Sequence, residues 1–251
     1  MTDNNHEEEL AEGTLLSHLI ELRSRLLIIA VAVLIAFIIL LPFSRDIFTL
    51  VSEPLREVLP GNAMIATAVA SPLLTPFKLT FFAALFLVMP VVLFQVWNFI
   101  APGLYKNEKR FAIPLLATSI VLFYLGIAFA YFVVFPLIFG FFTSIAPEGV
   151  EVQTDITQFL DFITTIVFAF GIAFEVPVAT VLIVWAGLTN IEKLAKARPY
   201  VFLMAFIAGM FLTPPDVISQ SLLAVPVYLL YELGIIMSKI FVSKKSESDS
   251  S

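Results

Sequence analysis

The stretch FAIPLLATSIVLFYLGIAFAYFVVFPLIFGFFTSIAP, residues 111–147, contains no Asp, Glu, Lys or Arg. About 20 apolar residues, at roughly 1.5 Å of helical rise each, cross the ~30 Å hydrocarbon core of a bilayer. Outward from it, residues 79–105 and 26–44 are equally free of charge. None of these runs shows the polar face that a soluble helix needs. The chain is read as an all-α integral membrane protein.

Composition supports that reading. Of 251 residues, 60% are hydrophobic and only 14% charged, with 26 Phe, which excludes the soluble and disordered classes. The length fits a single transmembrane domain over 14–242, with no room for a second, soluble one. The acidic start MTDNNHEEELAEG (1–13) and the end SKKSESDSS (243–251) are expected to be disordered tails. Acid precedes the first apolar run where a signal peptide needs basic residues, so none is expected. Without cysteine there is no disulfide and no thiolate metal site, and only His6 and His18 offer imidazole. No cofactor and no nucleic-acid partner are expected.

Six spans are predicted. The first covers 26–41 and stops at Pro42. Residues 43–71 hold the breakers Pro54, Pro60 and Gly61 and read as an ordered extramembrane loop with a short helix at 44–58. The second span covers 76–100, the third 111–139 and the fourth 159–185. The fifth, 200–212, and sixth, 217–239, form a short hairpin. Only 17 uncharged residues separate Arg198 from Asp216, about 26 Å as a helix. Such a hairpin thins the bilayer locally.

Six spans put both termini on one side. Arg23, Arg25, Lys106, Lys109, Arg110, Lys193, Lys196, Arg198, Lys239, Lys244 and Lys245, eleven of the 14 basic residues, fall on that side. The positive-inside rule therefore makes both termini cytoplasmic. Spans one to three do not repeat in four to six, so the inverted-repeat signature of many transporters is absent.

A few polar groups stand out. Glu175 interrupts the fourth span, FAFGIAFEVPVATVLIVW (168–185). A carboxylate there costs about 2.5–3.5 kcal/mol on insertion scales unless it is protonated or paired. Three readings stay open: a Glu satisfied by neighbouring helices, a docking point for a polar group on a partner helix, or a proton-conducting group. Pro177 predicts a kink beside it. Gln220, just inside span six, is a second candidate for interhelical hydrogen bonding, or simply a polar residue at a helix end. In TLLSHLIELRSRLL (14–27), Ser17, Glu21 and Arg25 share one helix face at i, i+4, i+8. Glu108 lies in the loop APGLYKNEKR (101–110). Each acid taken singly reads as a solvated surface group; as a pair beside apolar surface they suit a cationic ligand. No phosphate loop, metal spacing, nucleophile elbow or aspartate pair is present, so no enzyme is indicated.

Together SHLIELRSRLL (17–27), MIATAVASPLLTPFKLTF (64–81), QVWNFIAPGLYKNEKR (95–110), FAYFVVFPLIFGFF (129–142), FEVPVA (174–179), RPYVF (198–202) and LTPPDVISQ (212–220) resemble the TatC family. That family is the core subunit of the bacterial twin-arginine protein translocase. The resemblance runs from about Leu16 to Val242, in order and with spacing kept. It implies a six-helix fold like a cupped hand in the inner membrane, termini cytoplasmic, receiving signal peptides with paired arginines. It implies work with the single-span partners TatB and TatA, self-association, and export of folded proteins on the proton-motive force. Glu21 and Glu108 become the carboxylates that meet the arginine pair, with Arg23 and Phe99 on the same surface. Pro54 matches a sensitive proline of the first periplasmic loop, and Glu175 the intramembrane Glu of span four. Met210, Thr213 and Gln220 match a contact region for partner helices, and Asp216 the acid of the connection between spans five and six. Ala68 departs from the pattern, since some relatives carry Asp there. The competing readings are a proton-coupled small-solute transporter with Glu175 as coupling carboxylate, and an intramembrane enzyme. Copurified precursors and single-span partners would separate the receptor from the transporter.

Overall fold

The computed structural model describes residues 3–56, 64–100, 109–145, 153–213 and 216–248, with side chains over 19–56, 64–99, 113–145, 153–213 and 216–240. Ten α-helices are present among them. Helix α1 runs Asp3–Leu40, and a 3-10 turn at Leu41–Phe43, where Pro42 sits, leads into α2, Ser44–Arg56. Then come α3 (Ser71–Leu87), α4 (Met89–Ile100) and α5 (Lys109–Phe129). A π-helical turn at Ala130–Val134 joins α5 to α6, Phe135–Ser144. Helices α7 (Ile156–Ala173), α8 (Val176–Trp185), α9 (Ile191–Leu212) and α10 (Val217–Ser248) complete the chain. The boundaries expected at 13 and 243 do not coincide with helix ends. The short helix expected at 44–58 is α2.

Five helical runs are long and apolar enough to cross a membrane, and a sixth span is the pair α3 and α4, bent by 49°. The second span is therefore broken where the sequence predicts a continuous helix. Pro90 is the cause. It has no N–H for the Phe86 carbonyl four residues back, and its ring crowds that carbonyl. The hydroxyl of Tyr124, on α5, donates to the freed oxygen of Phe86 at 3.1 Å and to that of Leu87 at 3.2 Å. The same device recurs in α2. Pro54 frees the Leu50 carbonyl, and Tyr131 on span three donates to it at 2.7 Å. Beside Pro177, where a kink is expected, the helix is interrupted: α7 ends at Ala173 and α8 begins at Val176, with Phe174 and Glu175 in the break.

The fifth span differs from expectation at its start. Helix α9 begins at Ile191, so much of the stretch between the expected fourth and fifth spans is helix, capped by Asn190, whose Oδ1 accepts from the Lys193 amide at 2.8 Å. Its apolar part, 199–212, is still only about 21 Å long.

Span four, α7 and α8, is the centre of the bundle: 56% of its most apolar window is buried, against 11% for the spans of α1 and α9. Lipid tails are as apolar as leucine, so close packing and polar contacts hold such helices together. Phe123, Phe135 and Phe170 are wholly enclosed, and rings of Phe135 and Phe139 stack at 5.8 Å. Gly126 lets α5 approach α7 so closely that a methyl group there would sit 2.6 Å from the Phe170 carbonyl oxygen. Gly234 does the same for α10 against Pro177 and Thr180 of α8.

Outside the spans, the segment before α3 is stitched to the start of α7. The Ile65 amide donates to Thr154 at 3.0 Å, and the Ile156 amide returns the bond to Ile65 at 2.9 Å. Asp155 caps α7 with one carboxylate oxygen and with the other takes the Thr67 amide and hydroxyl, at 2.9 and 2.8 Å. These donors favour the charged form, those of Thr67 most of all, and hold the carboxyl down at about 2.

Candidate functional site

The amphipathic start of span one meets the end of α4. One turn of helix separates Glu21 from Arg25, and their ion pair forms at that spacing. Arg25 places both Nε, at 3.1 Å, and Nη2 on the same Glu21 oxygen, Oε1. Its Nη1 reaches the side-chain oxygen of Gln95 at 3.1 Å, and Nη2 the Asn98 carbonyl at 3.1 Å. Asn98 needs an outside donor, because the residue four positions on is Pro102, which has no N–H. Phe99 comes next on α4, exposed. Arg23 is exposed on α1, about 200° around the helix from both Glu21 and Arg25. Glu21, Gln95 and Asn98 thus meet at Arg25, with Phe99 the residue after Asn98 on α4. Glu108 lies outside the described residues.

Glu175 sits in the break of span four. The Ser119 hydroxyl of α5, itself buried, donates to its Oε2, and its Oε1 is buried with no partner. The carboxyl group is half satisfied: one lone-pair site awaits a donor. Among the described residues, Ser119 is the hydrogen-bond partner of this carboxyl group.

At the turn between α9 and α10 the expected contact residues divide. Met210 is exposed and Gln220 half-buried. Thr213 is buried, and its hydroxyl is spent on the Gly209 carbonyl of its own helix at 3.0 Å. Asp216 starts α10: Oδ1 accepts from the Ser219 amide at 2.7 Å, while Oδ2 is buried and unpartnered. Gly209 faces the Gln220 backbone, which a methyl group there would meet at 3.5 Å, an ordinary van der Waals contact. Pro54 lies one residue before Leu55, which is buried in the core of spans three and four.

Sequence reasoning missed two polar links. Arg198 on α9 grips Glu232 on α10 with a fork, Nε to Oε1 at 2.6 Å and Nη2 to Oε2 at 2.8 Å. Lys78 on α3 pairs with Asp161 on α7. The partners are far apart in sequence, and each reads alone as a surface charge. An apolar groove of about 580 Å³, walled by Phe82, Phe168, Ala208 and Leu223, also runs between α3, α7, α9 and α10.

Comparison with known proteins fits this architecture. The family model described as Sec-independent protein translocase protein (TatC) matches residues 17–226. The protein of that name from Azotobacter chroococcum mcd 1 is 62% identical over 222 residues, 88% of this chain and 87% of the relative. The one from Escherichia coli K12 is 57% identical over 231 residues, 92% and 90% of the two chains. A solved structure described as the twin arginine translocase receptor TatC superposes with a TM-score of 0.79 at 37% identity, covering 89% of this chain and 98% of that one. The chain belongs to the TatC family and is a multi-pass bacterial inner-membrane component of Sec-independent protein translocation.

Proposed function

We propose that this chain is the signal-peptide receptor of a twin-arginine translocase. Glu21 and Glu108 receive the two arginines on the cytoplasmic face, with Arg23 and Phe99 beside them. Single-span partners of TatB and TatA type engage Glu175, Met210 and Gln220, and folded precursors are exported on the proton-motive force. Thr213 acts from within by shaping the turn. Both termini are cytoplasmic.

The observation that carries the reading is Glu21 itself. It is a partly exposed carboxylate with one oxygen taken and the other, Oε2, without a partner among the described residues. Arginine offers a planar fork to a carboxylate where lysine offers a point charge. Exposed pairs are worth only about 0.2–1 kcal/mol. The affinity therefore comes mainly from the apolar part of the signal peptide, about 0.8 kcal/mol per buried methylene. Membership in a translocase family leaves the small-solute transporter without support. The test is crosslinking of twin-arginine and twin-lysine signal peptides to membranes carrying the wild type, Glu21→Ala, Glu108→Ala and the double variant. Each single variant should nearly abolish arginine-dependent crosslinking while the protein stays folded. Undiminished crosslinking in the double variant would place the site elsewhere.

A further inference from the structure

The Glu21 ion pair is part of a larger arrangement, whose role in recognition rests on the receptor reading. Of the two side chains Arg25 is the more sheltered, 18% exposed against 36% for Glu21. It is also fixed independently of Glu21, by the side-chain oxygen of Gln95 and the carbonyls of Gln95 and Asn98, at 3.1, 3.4 and 3.1 Å. The Asn98 carbonyl stands in the last turn of α4, where the helix dipole is negative and favours a cation. Both of the nitrogens that reach Glu21 converge on a single oxygen. A guanidinium free to choose would grip a carboxylate through both oxygens, as Arg198 grips Glu232.

We propose that Arg25 is a positioning residue for signal-peptide recognition. Anchored on α4, it fixes Glu21 by one oxygen and leaves Oε2 for the incoming arginine. It also makes the site selective. A bare carboxylate draws any cation by simple attraction. One already shared with a fixed guanidinium draws weakly at a distance, so binding depends on donor geometry, which a guanidinium supplies and an ammonium does not. Lysine at position 25 would keep the charge but could not hold α4 and Glu21 together, since its three donors radiate from one atom.

The ratio of twin-arginine to twin-lysine signal-peptide binding reads this role directly. It is measured on the full chain in membranes for the wild type, Glu21→Gln, Arg25→Lys and the double variant. Arg25→Lys should lower the ratio about tenfold, the scale of one charge-assisted hydrogen bond, with melting temperature kept. The double variant should fall no lower than Glu21→Gln alone, because both changes disable one unit. A ratio untouched by Glu21→Gln sinks the receptor reading at this carboxylate. A ratio lowered by Glu21→Gln but not by Arg25→Lys, or losses that multiply in the double variant, overturns the positioning role alone. Should Arg25→Lys fail to fold, Gln95→Leu removes one anchor instead. It is expected to lower the ratio about threefold, less than loss of the whole fork, and an unchanged ratio there is equally fatal.

Discussion

Glu175 and Asp155 are both carboxylates at helix starts, and their surroundings set them opposite tasks. Glu175 has one donor, Ser119, and one buried oxygen left over. A partner helix that brings a polar hydrogen there completes the group. Such bonds are worth about 0.6 kcal/mol on average within membranes, and up to roughly 2. Glu175→Gln should therefore keep partial export, and Glu175→Leu should lose copurification of single-span partners while the isolated chain stays folded. Normal copurification and export by the Leu variant would end the docking role. Asp155 by contrast has every oxygen engaged, and its task is to hold the segment before α3 onto α7. Its pKa lies at about 2, below the roughly 3.9 of a free Asp, so folding favours its charged form. The stabilisation is then complete above pH about 4 and disappears as the pH falls through about 2. Hydrogen-exchange protection of the Ile65 and Thr67 amides should be constant from pH 5 to 8, roughly neutral conditions in which both states are ionised. Asp155→Asn keeps an oxygen for the cap but turns an NH₂ group toward Thr67 or loses the cap itself. About tenfold lower protection is expected, the scale of one charge-assisted bond, and unchanged protection would show that the backbone bridge suffices.

At the scale of elements, legibility depended on how local each signal is. Long apolar runs with few charges mark spans because the bilayer leaves little alternative, and the long apolar helices and the bent pair fall on the six runs expected. The interruption at Glu175 was legible because Pro177 lies beside an intrusive charge. The break at Val88 was not. Pro90 sits in a run with no polar interruption, and membrane helices tolerate proline when a neighbour satisfies the freed carbonyl. The neighbour is Tyr124, which nothing local to Pro90 reveals. At the candidate site, the alignment of Glu21 with Arg25 could be read from their spacing, but the anchoring of Arg25 on α4 spans 70 residues of sequence. The Tyr131–Leu50–Pro54 link allows a direct test by a double-mutant cycle. Tyr131→Phe strands the Leu50 carbonyl and should cost about 0.6–2 kcal/mol. Once Pro54→Ala restores an amide to that carbonyl, the same tyrosine change should be nearly neutral in melting temperature. Additive losses would show that the hydroxyl serves something other than the proline.

The whole molecule is a dense centre with a loose periphery. Span four is packed on several sides, while α1 and α9 leave most of their surface exposed. The orientation proposed for this bundle puts residues 43–71 and 142–158 and the turn from Thr213 to Asp216 on the periplasmic side. Single cysteines at Asn62 and Gly149 should react with an impermeant thiol reagent added from that side, and labelling from the cytoplasmic side alone would invert the arrangement. Span three has a particular place in this bundle, because Tyr124 and Tyr131 donate to carbonyls that prolines have freed in two other segments. This gives sequence drift a direction. A lineage can lose the proline first, after which that bond to the tyrosine is no longer needed, but losing the tyrosine first leaves the carbonyl without its donor. The harmless order of change runs one way, so each proline and its tyrosine should be inherited together or relinquished in that sequence.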